Sequence, residues 1–438
     1  MVAKFSSIST RKLSNALTVI SRDKSMVATS DHGDFHKMAK RYIMLSMLGT
    51  SAQKQFRDTR DMIINNMLST FHKLVKDDPH APLMFRDVFQ DELFRLSMIQ
   101  VSILSELKLL DDQFVISGTD NECRKLQSLG EDVSSVYVDE FGRDISKEEI
   151  YNITVTDMTM CAIEVDWRDF FPYLSWVPNK SFETRLFTTV ARRTAVMRAL
   201  IKQQKERIVR GEAKACYLDF LLAENTLTDE QLTMLVWEAL IEAADTTLVT
   251  AEWAMYELAK NPDKQARNIC YSVPAHCRHS WNGFTKRSGM CAATRRSPRS
   301  TSHGCRTSTP SSTRRCAATL LSRSYLRVMV MWQMVINLYG CNMNEKEWES
   351  PEEWAPERFT GGRLEVADKY KTMAFGAGRR VCAGSLQATH IACTAVARFV
   401  QEFRWRLREG DEENVDTAQV TAYKLHPLHV HLTPRGRV

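Results

Sequence analysis

The segment that most constrains this chain is "TDEQLTMLVWEALIEAADTTLVTAEWAMYELAKNP", Thr228 to Pro262. Thr228 followed three residues later by Gln231 is a capping box, in which each side chain reaches the other's free backbone amide. The helix that starts there is expected to run to Asn261, where Pro262 stops it. Some 33 residues at 1.5 Å each make roughly 50 Å, enough to cross a whole domain. The helix is apolar on nearly all sides, so it belongs at the centre of a fold and not on its surface. Asp245, Thr246 and Thr247 interrupt the apolar run near its middle.

The flanking sequence is mostly helical too. "SAQKQFRDTRDMIINNMLSTFHKLVKD" spaces Phe56, Met62, Ile63, Met67, Phe71 and Leu74 at helical intervals, and "FRDVFQDELFRLSMIQ" continues the pattern. A second helical block is expected from "RDISKEEIYNITVTDM" through "FTTVARRTAVMRALIKQQKERIVRGE". Inside it, "DWRDFFPYLSWVP" reads as an aromatic turn packed on the core.

Charge excludes one class of function. The chain has 438 residues and a formal net charge of +6, which invites a nucleic-acid reading. The excess lies in one window. Residues 266–333 hold 12 Lys plus Arg and no Asp or Glu, leaving 47 basic against 53 acidic residues elsewhere. That window has no amphipathic helix and few aromatics, so no nucleic-acid partner is expected. It also holds five of the 11 cysteines, in spacings that fit no zinc site, and the odd total argues for a reducing compartment. No apolar run reaches the roughly 18 residues that span a bilayer.

The chemistry sits in "TMAFGAGRRVCAGSLQATHIACTAVARFVQEF". Phe375, Gly378, Arg380, Cys382 and Gly384 stand in the order F-x-x-G-x-R-x-C-x-G, and a long apolar helix follows. A Gly-rich loop lets backbone approach a flat ligand closely. Cys382 falls at a helix N-terminus, where free amides and the dipole stabilise a thiolate. Arg380 can pair with an anionic substituent of the ligand. On haem iron such a thiolate pushes electron density that favours O–O cleavage. A Gly-rich turn with an incidental cysteine is the plain alternative. Five matched positions within ten residues, with "AADTT" and "PERF" (Pro356 to Phe359) upstream in the right order, outweigh it.

With these motifs in place, the chain resembles plant cytochromes P450, specifically the ent-kaurene oxidase subfamily. "DWRDFFPYLSWVPNKSFE", "MVINLYGCNMNEKEWESPEEWAPERF" and "EGDEENVDTAQVTAYKLHPLHVHLTPR" read as that subfamily, and the resemblance covers most of the chain. It implies a mainly α fold: one helix-rich domain over 1–438 with small β-sheets, around haem b. It implies that Cys382 is the axial iron ligand and that Phe375 packs beneath the haem edge, with Gly378, Arg380 and Gly384 shaping the loop. Asp245 and Thr246 would deliver protons during oxygen activation. For Thr246 the alternative is a hydroxyl bonded back to its own helix. Where the family has a Trp-x-x-x-Arg contact to the haem propionates, this chain has His36 and Lys40, for which a solvated helix face is the alternative.

The implied reaction is stepwise oxidation of a diterpene methyl group toward a carboxylic acid, in gibberellin or related diterpenoid biosynthesis. It would use O2 and electrons from NADPH through a cytochrome P450 reductase, on an apolar substrate. The family implies membrane association at the endoplasmic reticulum or plastid envelope, with the catalytic domain facing the cytosol. The opening "VAKFSSISTRKLSNAL" reads as mid-domain text, so the anchor, the proline hinge and the first strands are expected to be missing.

Two segments depart from the family. Val101 to Gln127 interrupts "SMIQ…SLGEDVSS", and its ends can be encoded as the ends of an unspliced intron; a natural surface insertion is the alternative. The family also requires a Glu-x-x-Arg pair between the long helix and "PERF", and none stands in an acceptable place. Ser312 to Thr319 can be encoded so that the same bases, read one base out of phase, give His-Glu-Thr-Leu-Arg-Arg-His. The recoding extends in both directions over more than about 40 positions, beyond what codon degeneracy supplies by chance. Residues 266–281 are therefore read as foreign text and 282–333 as out of frame. The competing functional class is a non-catalytic pseudogene or mis-spliced product that does not hold haem.

Overall fold

The computed structural model describes residues 13–101, 135–211, 216–265, 338–354, 374–376, 378–418 and 423–436. Of the proposed insertion Val101 to Gln127 only Val101 is described; the rest of it, the window 266–333 and the "PERF" segment with Arg358 lie outside the described residues.

In chain order the elements are α1 (Asn15–Ile20), α2 (Asp34–Ile43), α3 (Thr50–Gln55), α4 (Arg57–Asp77), β1 (Leu83–Met84), α5 (Phe85–Val101), β2 (Ser135–Val138) and β3 (Arg143–Ser146). Then come α6 (Lys147–Tyr151), α7 (Asp157–Ile163), α8 (Lys180–Val209), α9 (Tyr217–Glu224), α10 (Asp229–Ala244), α11 (Thr246–Lys260) and α12 (Leu338–Asn342). α13 (Ser385–Glu402), β4 (Phe403–Leu407), β5 (Thr417–Ala418), β6 (Tyr423–Lys424) and β7 (His429–Pro434) close the chain. The mainly α class with small sheets is thus the observed one. The second helical block is not helical from its start: Arg143–Ser146 pairs with β2 as an antiparallel hairpin, turned by Gly142 at φ 64°.

The elements form two compact units. One contains residues 57–93 and those from 245 onward. Its sheet runs β1-β7-β4, all antiparallel, with Trp405 opposite Leu432 and Leu83 opposite Val430. Phe403, Trp405, Val430 and Leu432 point inward by the two-residue period of the strand. They meet the apolar stripe that the sequence placed on α4: Ile63, Met67 and Phe71 are wholly buried. Phe71 packs edge-to-face on Phe399 at 5.3 Å and on Trp405 at 5.4 Å, the geometry aromatic quadrupoles favour. Polar groups are closed within this core. The Gln265 amide accepts from the Trp405 backbone N–H at 3.1 Å and donates to the Trp405 and Leu258 carbonyls at 3.0 Å each.

The other unit contains residues 9–56 and 94–244. Along α10, every residue from Met234 to Leu240 is buried, as an all-round apolar helix requires. Trp237 donates from its indole to the Thr154 carbonyl at 2.8 Å, and the Glu238 carboxylate accepts from the Val27 and Ala28 amides at 2.7 and 2.6 Å. The aromatic turn does not pack as expected. Phe170, Phe171, Tyr173 and Trp176 are 69%, 45%, 72% and 79% exposed. What the turn buries is a polar anchor: the Asp166 carboxylate accepts from Arg168 Nε at 2.9 Å and from Asn15 Nδ2 at 3.2 Å. Two short 3-10 turns hung on that anchor direct the rings outward.

The capping box is formed as read. Thr228 N–H donates to the Gln231 side chain at 3.1 Å, and Gln231 N–H donates to the Thr228 hydroxyl at 3.2 Å. The helix ends at Lys260, before Asn261 and Pro262. It is not continuous, however. Asp245 stands between α10 and α11 with φ −110°. The gap is one residue wide, because Val249 N–H still donates to the Asp245 carbonyl at 3.0 Å. The Asp245 ψ of −35° stays helical, so the departure lies in φ. The Thr250 hydroxyl also bonds back to the Thr246 carbonyl at 3.1 Å, a contact that bends helices.

Candidate functional site

The loop that presents Cys382 is built by two glycines. Gly376 has φ 68° and Gly378 φ 75°, left-handed values that a side chain resists. Between them they turn the chain so that the Cys382 N–H donates to the Phe375 carbonyl at 2.9 Å. A short 3-10 turn, Gly378–Arg380, lies inside that closure, and Val381 N–H donates to the Gly378 carbonyl at 3.1 Å. Gly384 then caps α13, its carbonyl accepting from Ala388 N–H at 2.9 Å. Cys382 thus stands two residues before the cap, where unsatisfied amides and the helix dipole favour a thiolate.

The thiol is half-buried, neither sealed in the core nor open to bulk water. Arg380 is 8% exposed, so a guanidinium is held inside the loop wall. A Cβ added at Gly384 would sit 4.0 Å from Cys382 Sγ, in ordinary contact and on the side of the sulfur. A soft anionic donor, a buried cation and backbone bare of side chains form a set that suits a flat, anionic, iron-bearing ligand. The residues present therefore fit haem.

α11 packs against α13, so the Asp245 end of one helix and the Cys382 end of the other belong to the same compact unit. The two threonines after Asp245 are sorted by the helix: Thr246 is exposed and Thr247 is 4% exposed. Asp245 is half-buried, and its charge bears on Tyr423 in β6. Burial pushes the Tyr423 hydroxyl well up; Arg86 opposes the shift, and Asp245 and Glu252 add to it.

His36 and Lys40 lie one turn apart on α2, in the other unit. The solvated-face alternative does not hold for His36. It is 3% exposed, with Nδ1 3.0 Å from the Ser30 hydroxyl and its ring 5.5 Å from that of His32. Lys40 is half-buried.

Sequence reasoning passed over Arg193, which is fully buried in α8. Its signal was its phase: it falls in the helical series Leu186, Val190, Arg193, Met197, Leu200, whose other members are apolar and buried. A cation in an apolar register is as legible as a misplaced leucine.

The family model described as Cytochrome P450 matches residues 133–268 and 332–432. The chain is 73% identical to ent-kaurene oxidase-like 3 of Oryza sativa subsp. japonica, over all of this chain and 81% of the relative. It is 72% identical to ent-kaurene oxidase 2 of the same organism, again over all of this chain and 81% of the relative. A third relative there, ent-sandaracopimaradiene 3-hydroxylase, is 55% identical over all of this chain and 80% of its own length. Among the described residues, no helix is long and apolar enough to cross a membrane.

Proposed function

Because the chain belongs to the cytochrome P450 family, we propose that it is a haem-thiolate monooxygenase in which Cys382 is the axial ligand and the substrate is a diterpene of the ent-kaurene type. The single observation that carries the reading is the Cys382 loop: a half-buried thiol at the head of α13, in a turn shaped by left-handed glycines.

Haem iron, when bound, supplies the activation of O2, with electrons from a reductase. The rest falls to this chain's residues. Cys382, held as thiolate by the helix N-terminus, is the donor to the metal. Arg380 would pair with an anionic substituent of the bound haem, and Phe375 would pack beneath its edge. Asp245 and Thr246 would deliver protons during oxygen activation, through a carboxyl and a hydroxyl in turn. The family resemblance alone would give His36 and Lys40 contacts to the anionic groups of the ligand.

The finer reading is stepwise: a methyl group is taken through alcohol and aldehyde to acid, with NADPH as the electron source. The two ent-kaurene oxidase-type relatives above 70% identity support it. The product would serve gibberellin or related diterpenoid synthesis, at the endoplasmic reticulum or plastid envelope. The third relative carries the name of a hydroxylase for a different diterpene, so the substrate is what the assay must separate. The chain, reconstituted with haem and an NADPH-dependent reductase, is given ent-kaurene and ent-sandaracopimaradiene, and the products are weighed by mass spectrometry. A carboxylic acid from ent-kaurene is expected. Turnover of the second diterpene alone would overturn the substrate assignment.

A second reading rests on the sequence of residues 266–333, as foreign and out-of-frame text. The family match stops at residue 268 and resumes at 332, which supports it. On that reading the chain as written holds haem poorly, because Arg358 lacks its Glu-x-x-Arg partners. The reduced carbon-monoxide difference spectrum separates the two. On the first reading the chain as written gives a strong thiolate-type Soret band; on the second its band is weak and that of a frame-repaired version is strong. Survival of the band in Cys382→Ser would remove Cys382 as the ligand.

A further inference from the structure

Every residue from Met234 to Leu240 on α10 and from Thr247 to Ala259 on α11 is buried. Between these spans the burial lapses. Glu242 and Thr246 are exposed, and Ile241, Ala243 and Asp245 are half-buried. Ala244 is 0% exposed. A helix turns about 100° per residue, so Glu242 and Thr246, four positions apart, fall on one side and Ala244 on the other. Asp245 keeps a helical ψ of −35°, and its carbonyl still starts the ladder of α11. The opening is therefore a strip on one face of the helical run. Glu242 borders the same open space as the Thr246 hydroxyl.

Neighbouring carboxylates on this run serve the fold. Glu238 accepts from the Val27 and Ala28 amides and Glu252 from the Leu428 amide. Among Glu238, Glu242, Glu252 and Glu257, only Glu242 is exposed. A charge set into an apolar helix is tolerated where water or a polar ligand reaches it. The proposed proton delivery engages the Asp245 carboxyl and the Thr246 hydroxyl and leaves this second carboxylate, three residues before Asp245, without a task.

The oxidised forms of the substrate supply one. A hydrocarbon offers a carboxylate nothing to bond. Successive hydroxylations of one carbon each take one oxygen atom from O2, with two electrons and two protons, and release the other as water. They give the alcohol, then the hydrated aldehyde, then, with loss of water, the acid. The alcohol and the hydrate are O–H donors, and an ionised carboxylate is an acceptor only. The bond between them is charge-assisted and strong. The acid ionises, keeps no donor and brings a like charge toward Glu242, which disfavours its staying.

We propose, resting on the reading of this chain as an oxidase of a diterpene methyl group, that Glu242 is a specificity-determining residue of the reaction. Its carboxylate holds the hydroxyl of the alcohol and of the hydrated aldehyde, so that the partly oxidised carbon stays for the next round. The same charge repels the carboxylate product.

Equilibrium dialysis of the full chain, loaded with haem and without reductase, measures the affinities for ent-kaurene, its primary alcohol and its carboxylic acid in the absence of turnover. The parent should bind the alcohol most tightly and the acid least. Glu242→Leu should weaken the alcohol by about tenfold or more, the equivalent of one lost charged hydrogen bond. It should leave the hydrocarbon as it was and bind the acid more tightly than the parent does. Glu242→Gln keeps the volume and an acceptor oxygen without the charge. It should lose only part of the alcohol affinity and also gain affinity for the acid. With reductase and NADPH added, Glu242→Leu should release the alcohol as its main product. Circular dichroism follows the fold of both variants. A purely structural role would shift all three ligands together. Equal losses for the three, or an alcohol affinity unchanged in Glu242→Leu while the parent binds the hydrocarbon, would overturn the proposal alone. A parent that binds none of the three would overturn the diterpene reading and the role of Glu242 with it.

Discussion

The backbone N–H of Cys382 donates to the carbonyl of Phe375 at 2.9 Å, so the loop that carries the thiol is closed by its own backbone. The closure depends on the left-handed φ of 75° at Gly378. Alanine there meets the steric penalty of that region, about 1–2 kcal/mol. Gly384 is a contrasting control, because its φ is −80° and an added Cβ makes only ordinary contact with Cys382 Sγ. Gly378→Ala should lower stability by about that penalty in denaturant unfolding, and Gly384→Ala should stay within about 0.5 kcal/mol of the parent. The reverse order would refute this account of the loop.

The capping box makes a second prediction. Thr228→Ala removes the acceptor of the Gln231 N–H, and about 1 kcal/mol should be lost. Thr228→Ser keeps the hydroxyl and should unfold at nearly the parent's denaturant midpoint. Equal loss in both variants would mean that the threonine methyl, and not its oxygen, matters.

Both features were legible in the sequence because each is local. A capping box and a Gly-rich turn are written in four to ten consecutive residues. The buried stripe of α4 was legible for the same reason, since Ile63, Met67 and Phe71 repeat at the helical period. The interruption at Asp245 was not, because periodicity measures apolar phase and is blind to one residue leaving the hydrogen-bond ladder. The strand at Arg143–Ser146 was missed because four residues with one inward side chain, Ile145, carry almost no pattern. The outward rings of Phe170 to Trp176 were misread because aromatic residues usually bury; the buried residue there is Asp166, which besides nearby Arg168 draws on Asn15 and Asn179, both distant in the chain.

A buried ion pair gives a third prediction. Glu252 is wholly buried and accepts from Arg86 Nη2 at 2.9 Å and from the Leu428 N–H at 3.0 Å. Glu252→Ala strands a guanidinium and an amide together and should cost about 3–5 kcal/mol. Glu252→Gln fills the same volume and keeps an acceptor oxygen for one of the two donors, so it should cost less than Glu252→Ala. Chemical denaturation of both variants tests the ordering, and a loss under about 1 kcal/mol for Glu252→Ala would show that water reaches the pair.

Lys424 makes the fold pH-dependent. It is 2% exposed, with Nζ 4.3 Å from the Trp253 ring centre and 4.1 Å from that of Tyr256, and burial pulls its pKa down to about 8. Its ordinary value is 10.5. Between these two values the unfolded chain holds more protons at this site than the folded one, so stability rises with pH across that window. Below about pH 8 the penalty for burying the charge is present in full. In Lys424→Met this contribution is gone. The stability difference between parent and variant should therefore change from pH 8 to 10.5 in the parent's favour, and a flat difference across that range would show that the ammonium is not desolvated.

The last prediction concerns the coding frame of residues 266–333. Twelve cations, no acid and five cysteines in one window are hard to reconcile with the mildly acidic remainder of the chain. The family match is interrupted over nearly the same residues, from 268 to 332. A basic loop inserted by selection would leave the Glu-x-x-Arg pair intact on one side of it; here the pair is absent, and the residues can be encoded so that it appears one step out of phase. Sequencing the transcript should show a Glu codon, ACN, a Leu codon and an Arg codon in the shifted frame across residues 313–316. Codons that fit the printed residues but hide no such series would end the frameshift account, and the window would then have to be explained as protein.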